Sequence, residues 1–245
     1  MNLYGLIGYP LGHSFSKKFF TEKFERENIR DSFFELFPIP GINDFTPLLQ
    51  SNPSLKGLAV TIPYKESVIP FLQSVTDEAM QIGAVNCIKI LPEECIGYNT
   101  DVIGFERSFM PLLKDHHEKA LILGTGGASK AVQFDLNKNA IPFLLVSRNE
   151  EASKSIGYDK LNEQLMNEYT IIINTTPLGM SPKENGKPPI PYEFINAKHY
   201  CYDLVYQPAV TAFLAEANNR GAITKNGMDM LMIQAEENWK IWNED

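Results

Sequence analysis

The sequence predicts an α/β chain, and three observations predict it. Residues 119–131, Lys-Ala-Leu-Ile-Leu-Gly-Thr-Gly-Gly-Ala-Ser-Lys-Ala, read as a buried strand, a glycine turn and the start of a helix. Short apolar strand candidates alternate with helical stretches from the N-terminus to Asp101. Four further strand candidates follow at a spacing that leaves room for right-handed crossover helices between them.

Leu3 to Ile7 is the first strand candidate. It leads into a loop, Gly8 to Ser16, whose Ser16 can cap a helix carrying Phe19, Phe20 and Phe24 on one side and ending near Asn28. Phe33 to Phe37 reads as a strand and Gly41 to Gln50 as a short helix. Leu55 to Ile62 is a strand whose pairing Pro63 stops. After Tyr64-Lys65-Glu66 the pattern is helical again. Val85 to Ile90 and Cys95 to Tyr98 read as a hairpin about Leu91-Pro92-Glu93-Glu94. Asp101 to Leu113 is a linking helix with Val102, Phe105, Phe109 and Leu112 on its apolar side. Beyond it, Ala120 to Leu123, Phe143 to Val146, Thr170 to Ile173 and Tyr200 to Leu204 are strands. Thr175 to Pro191 is a long loop rich in proline and glycine, and Ala209 to Asn219 is a helix. Asn226-Gly227 breaks the chain before a last helix, where Met228, Leu231, Met232, Ala235 and Trp239 form the expected core stripe, with polar Gln234 beside it.

Composition bounds the function. The 245 residues suffice for one large domain or two small ones, and 44% apolar and 21% charged residues describe an ordinary globular protein. A net charge of −8 argues against broad binding to nucleic acid or an anionic membrane. Met1 to Pro10 is not a secretory signal, and no apolar run has the roughly 18 residues that span a membrane. Cys87, Cys95 and Cys201 lack metal-ligand spacing and read as reduced, buried thiols of a cytoplasmic protein. No His-x-His or His-Glu-x-x-His spacing occurs, so no metal site is expected.

The glycine turn is the strongest chemical signal. Gly124 lets the chain turn, Gly126 keeps side-chain bulk away from a pyrophosphate at the helix N-terminus, and Gly127 with Ala128 and Ala131 lets that helix pack close to its strand. A site for an unphosphorylated adenosine ribose places Asp or Glu at the end of the next strand. Here that strand ends Ser147-Arg148-Asn149, with no carboxylate before Glu150. The Arg148 guanidinium suits a 2′-phosphate, and Ser147 or Asn149 can add hydrogen bonds, which favours NADP over NAD. Lys65 and Asp101 are the acid–base candidates. A carboxylate can orient an ammonium, and the ammonium can shuttle the proton that accompanies a hydride.

These residues sit within a longer resemblance. Gly8-Tyr9-Pro10 through His13-Ser14-Phe15-Ser16, Val60-Thr61-Ile62-Pro63-Tyr64-Lys65, Gly83-Ala84-Val85-Asn86, Gly97-Tyr98-Asn99-Thr100-Asp101-Val102-Ile103-Gly104-Phe105, the glycine turn, Asn174 to Met180, Tyr202 to Pro208, and Gly227 to Leu231 through Gln234-Ala235 follow one another in order. Together they resemble the shikimate dehydrogenase family along nearly the whole chain. The resemblance implies two α/β domains. A substrate-binding and catalytic domain, 1–101 plus 225–245, is completed by the C-terminal helices, and a Rossmann-like NADP-binding domain covers 102–224. It implies reversible NADP-dependent reduction of 3-dehydroshikimate to shikimate between the domains, by a monomer or homodimer. Ser14 and Ser16 would contact the substrate carboxylate. Thr61, Lys65, Asn86, Asp101 and Gln234 would hold ring hydroxyls or the reacting oxygen, and Tyr206 would border the substrate. Lys65 and Asp101 would be the catalytic pair. Gly124, Gly126, Gly127 and Ala128 would hold the pyrophosphate, Ser147, Arg148 and Asn149 the adenosine end, and Thr175, Thr176, Leu204, Gly227 and Met230 the rest of the cofactor.

Three stretches depart from the family pattern. Ala59 stands where asparagine is usual, removing one hydrogen-bonding side chain from the substrate side. Lys17 replaces a proline and Phe19-Phe20 a histidine–asparagine pair, so the helix start and its packing should differ. Ser147 and Asn149 replace asparagine and threonine or serine beside the retained Arg148. Family members that also oxidise quinate often carry threonine where this chain has Ser16. A nucleotide-binding regulator without catalysis is the other class of reading, and the retained Lys65 and Asp101 argue against it.

Overall fold

The computed structural model describes residues 1–12, 14–148 and 155–244. His13 of the first motif and the Asn149 cofactor candidate lie outside them. The chain forms two compact units, Met1–Thr100 with Gln234–Asp245, and Asp101–Ile233.

The first unit holds β1 (Asn2–Gly8), α1 (Phe15–Arg26), β2 (Ser32–Pro38), α2 (Phe45–Ser51), β3 (Leu55–Val60), β4 (Ser74–Val75), α3 (Asp77–Ile82), β5 (Cys87–Ile90) and β6 (Cys95–Tyr98). Its mixed sheet has the order β2-β1-β3-β5-β6-β4, with β1 parallel to β2 and β3, and β5 antiparallel to β3 and β6. Side chains alternate across it. Ile7, Leu58, Val60 and Ile88 enter one core, while Tyr4, Leu6, Ala59 and Cys87 face Phe20, Phe24, Ala235 and Trp242 in another. Phe20 stacks on Phe34 with ring centroids 4.6 Å apart, and Lys17 pairs with Glu35 at 2.6 Å, so two of the residues that depart from the family pattern at the start of α1 have partners on β2. Ala59 is part of the same apolar packing.

The second unit holds α4 (Asp101–Phe109), β7 (Ala120–Leu123), α5 (Gly127–Lys138), β8 (Phe143–Val146), β9 (Ser155–Ile156), α6 (Glu163–Glu168), β10 (Ile171–Asn174), β11 (Tyr200–Asp203), α7 (Ala212–Asn218) and β12 (Ile223–Asn226). All its strands are parallel, in the order β12-β11-β10-β7-β8-β9. This is a doubly wound sheet that reverses direction between β7 and β10, and both of its faces are covered. Leu121, Leu123 and Ile172 pack on one side, and Ala120, Ile122, Ile171 and Ile173 on the other.

The last helix, α8 (Met228–Asn243), belongs to both units. Its first turn places Met230 in the core with Tyr202, and its later turns place Ala235 and Trp242 against β1 and α1 residues. The boundary therefore falls inside the helix, at Ile233/Gln234. Trp242 lies so close to Gly57 that a Cβ there would stand 2.3 Å from the ring, and its Nε1 donates to the Ile88 carbonyl at 3.0 Å.

Several local expectations are corrected. Ser14, not Ser16, occupies the N-cap position of α1, and its side chain makes no capping bond. The stretch after Lys65 forms turns and one 3-10 turn, Ile69–Phe71, rather than an α-helix, because Pro70 lacks the amide hydrogen a helix interior needs. In α8, Met232 is 45% exposed, while Trp242 is 5% exposed and completes the core stripe. The three cysteines are free and buried.

Two histidines of the second unit are locked in one neutral tautomer. His117 Nδ1 accepts from the Lys114 amide at 3.0 Å, and its Nε2 meets the Lys198 carbonyl at 3.0 Å. His199 Nδ1 accepts from the Asn196 amide at 3.1 Å, and its Nε2 meets the Met166 carbonyl at 2.9 Å. A proton added at Nδ1 would face an N–H donor. Burial, followed by the neighbouring His116, holds His117 below the usual imidazole value, and burial does the same for His199. A base depressed in the folded state binds its proton first in the unfolded chain. Its contribution to stability is complete above the unfolded value of about 6.5 and is lost as pH falls below it. The destabilisation of His199→Gln relative to wild type, measured by thermal unfolding, should therefore shrink between pH 7.5 and pH 5.5; a constant gap would show that His199 does not titrate in this way.

Candidate active site

In the second unit the carboxyl ends of β7 and β10 lie side by side at the point where strand order reverses, the position at which doubly wound sheets bind ligands. Gly124 follows β7 with a φ of +109°, and a Cβ on it would lie 2.8 Å from Thr175 Oγ1. The turn is closed by its neighbours: the Gly124 amide donates to the Val146 carbonyl at 2.8 Å, and the Thr175 amide and hydroxyl both donate to the Leu123 carbonyl, at 2.9 and 2.8 Å. Gly126 is the N-cap of α5, and nothing lies within 4 Å of where its Cβ would be. Gly127 and Ala128 open the helix, whose first amides have no carbonyl within the helix to meet. The sequence thus leaves an open space at the positive end of a 12-residue helix, a fit for a pyrophosphate. Ser147 and the exposed Arg148 follow β8, with the Ser147 amide donating to the Ile156 carbonyl at 2.9 Å.

A buried polar network supports the loop after β10. Asp203, fully buried at the end of β11, accepts from Asn174 Nδ2 at 2.9 Å, from the Val205 amide at 3.0 Å and from Thr211 Oγ1 at 2.6 Å. Asn174 Oδ1 accepts in turn from the Thr176 amide at 3.0 Å and hydroxyl at 2.7 Å. Burial pushes the Asp203 carboxyl up to about 6, against the opposing pull of its hydrogen bonds. Leu204 and Gly227 meet closely enough that a Cβ on Gly227 would stand 2.1 Å from the Leu204 carbonyl oxygen. Met230 is buried in the core, and Tyr206 is half-buried with its phenol pushed up by burial.

In the first unit the ends of β1 and β3 run on together. The Thr61 amide donates to the Ile7 carbonyl at 2.9 Å and the Tyr9 amide to the Ile62 carbonyl at 3.1 Å. Tyr64 is anchored beneath this turn by its hydroxyl, which donates to the Ile39 carbonyl at 2.5 Å. The Lys65 carbonyl accepts from the Val85 amide at 2.7 Å, and the next residue, Asn86, accepts at its carbonyl from Val60 at 2.8 Å. Thr61, Lys65 and Asn86 are thereby held by backbone bonds at one end of the sheet. Asn86 is 3% exposed, and its Oδ1 accepts from the Thr100 amide at 2.7 Å. Thr100 is followed directly by Asp101, itself 7% exposed at the start of α4. On α8, Gln234 Oε1 accepts from Asn238 Nδ2 at 3.3 Å, and Asn238 Oδ1 lies 2.6 Å from Thr100 Oγ1. Ser14 and Ser16 stand at the N-terminus of α1, half-buried.

Comparison with known proteins gives this arrangement a family. Residues 6–88 match the family model of the shikimate dehydrogenase substrate binding domain. A shikimate dehydrogenase (NADP(+)) of Staphylococcus haemolyticus is 36% identical over 98% of this chain and 91% of its own length. The chain belongs to the shikimate dehydrogenase family. Among solved structures, a chorismate mutase/shikimate 5-dehydrogenase fusion protein from Clostridium acetobutylicum is 36% identical, with a TM-score of 0.89 over 99% of this chain and 91% of that one. Shikimate 5-dehydrogenase from Thermus thermophilus, solved with NADP(H) and shikimate, is 26% identical, with a TM-score of 0.87 over 99% of this chain and 94% of that one. The family fold is the two-domain α/β arrangement with a Rossmann-like sheet that the strand order shows here.

Sequence reading passed over Thr100, Asn174, Asp203 and Asn238 as individual site residues. Thr100, Asn174 and Asp203 lie within quoted motifs, and their burial makes them structural supports for the neighbouring side chains. The signal for Asn238 was its position four residues after Gln234, which puts the two amides on one helix face. Among the described residues, no group of three His, Cys, Asp or Glu is arranged to hold a metal, and no helix is long and apolar enough to cross a membrane.

The two turn glycines should separate in their effects. Gly124→Ala places a Cβ at positive φ against Thr175 and should cost more than about 1 kcal/mol of stability, whereas Gly126→Ala meets open space and should leave the melting temperature within a degree or two of wild type. Equal losses in thermal unfolding would contradict the distinct roles of the two glycines.

Proposed function

We propose that the chain catalyses the reversible NADPH-dependent reduction of 3-dehydroshikimate to shikimate. The observation that carries this reading is one chain combining an open phosphate cradle at Gly126 with a buried carboxamide–hydroxyl cluster next to Lys65 and Asp101. The Thermus thermophilus relative, solved with NADP(H) and shikimate, supports the same pair of ligands.

The cofactor's pyrophosphate belongs at Gly124, Gly126, Gly127 and Ala128, its 2′-phosphate at Arg148 with Ser147, and the remainder beside Thr175, Thr176, Leu204, Gly227 and Met230. When bound there, NADPH supplies a hydride. The substrate carboxylate belongs at Ser14 and Ser16, where hydroxyls and the first amides of α1 can donate to it. Thr61, Asn86, Asp101 and Gln234 hold the ring hydroxyls, and Tyr206 lies at the edge. As negative charge grows on the C3 oxygen, the Lys65 ammonium stabilises it and donates the proton, with Asp101 orienting the lysine and a substrate hydroxyl. In the oxidative direction Lys65 accepts the alcohol proton.

Lys65→Ala should lower kcat at least ~100-fold, the usual contribution of a placed general acid, while leaving the dissociation constant for NADPH within about twofold; near-wild-type turnover would remove Lys65 from this role. Arg148→Ala should raise the dissociation constant for NADPH far more than that for NADH, and equal changes would contradict the phosphate contact.

A further inference from the structure

The amide network around Asn86 has a direction. The Thr100 backbone N–H can only donate, so the Asn86 atom 2.7 Å from it is the carbonyl oxygen Oδ1. Asn86 Nδ2 therefore donates to Thr100 Oγ1, at 3.0 Å. The threonine hydroxyl has a single proton. Its 2.6 Å separation from Asn238 Oδ1 belongs to an O–H···O bond rather than to an N–H···O bond, so the proton points to Asn238. That choice turns Asn238 Nδ2 toward Gln234, where it donates to Oε1 at 3.3 Å. The four bonds form one ordered series, from the backbone of residue 100 to the side chain of residue 234. Asn238 is 1% exposed and lies one helical turn from Gln234, so its amide has little room to adopt another arrangement.

We propose that Asn238 is a positioning residue that sets the orientation of the Gln234 amide. With Oε1 committed to Asn238, the other end of Gln234 is Nε2, which has only protons to offer. Gln234 is thereby specified as a donor, matched to a substrate oxygen that accepts a hydrogen bond and mismatched to a hydroxyl that must donate. The inference rests on the reading that Gln234 contacts the substrate.

Asn238→Asp tests it. A carboxylate at this position can still accept from Thr100 but cannot donate to Gln234 Oε1, so the Gln234 amide must rotate and present its oxygen instead. The KM for shikimate should rise about 10-fold, the effect of one unsatisfied buried hydrogen bond, with the KM for NADP+ unchanged. In a Gln234→Ala background the same substitution should change the KM for shikimate by less than twofold, since no amide remains to be oriented. Should Asn238→Asp not fold, Asn238→Ala takes its place. It releases the Gln234 amide without reversing it, and should give a smaller rise in KM that again disappears in the Gln234→Ala background. An unchanged KM for shikimate in the Asn238 variant, or a rise of equal size with and without Gln234, overturns the inference while leaving the substrate reading of Gln234 intact. A wild-type KM in Gln234→Ala alone overturns that reading and the inference with it.

Discussion

The buried side chain of Asn86 is the constraint on which the polar end of the first unit depends. An unpartnered carboxamide at 3% exposure would cost a few kcal/mol. Asn86 meets that cost with bonds to both the amide and the hydroxyl of Thr100, and its own backbone joins β3 and β6 through Val60 and Tyr98. One residue is thus tied to two strands, to the segment that precedes Asp101 and, through Thr100 and Asn238, to the last helix. A displacement of any of these elements would expose or orphan an amide. That gives the cluster a defined geometry without a metal or a disulfide among the described residues.

The second unit reaches a comparable result with backbone geometry and one buried carboxylate. The parallel sheet brings the ends of β7 and β10 together, the positive φ of Gly124 turns the chain, and Thr175 closes the turn from the neighbouring strand. Asp203 then gathers Asn174, Val205 and Thr211, so that the loops after β10 and β11 are held from beneath. Its raised acid value reflects the cost of keeping that charge out of water, and its three donors offset part of it.

Much of the fold was legible because the central strands are continuous apolar runs bounded by turns, as β7 and β10 illustrate. The two-residue strands β4 and β9 carry no pattern of their own and exist through their neighbours' hydrogen bonds. The helical reading after Lys65 gives way at Pro70, which has no amide hydrogen to donate to a helix. The core stripe of α8 differs from its reading for another reason. Its buried face includes polar Gln234 and Asn238, so a rule that equates burial with apolar character selects the exposed Met232 instead, while Trp242 continues the apolar spacing three residues after Trp239. The glycine turn is legible from residue type and position, and Arg148, Lys65 and Asp101 are candidates on the same grounds. The supports around Asn86 and Asp203 depend on which buried polar atoms meet in three dimensions, which no local spacing records.

The central claim, that this chain joins shikimate to a phosphorylated nicotinamide cofactor, is tested most directly by steady-state oxidation rates of the wild-type protein with shikimate or quinate, each paired with NADP+ or NAD+. Shikimate with NADP+ should give the highest kcat/KM of the four combinations. Folded protein that turns over shikimate with neither nucleotide would contradict the account.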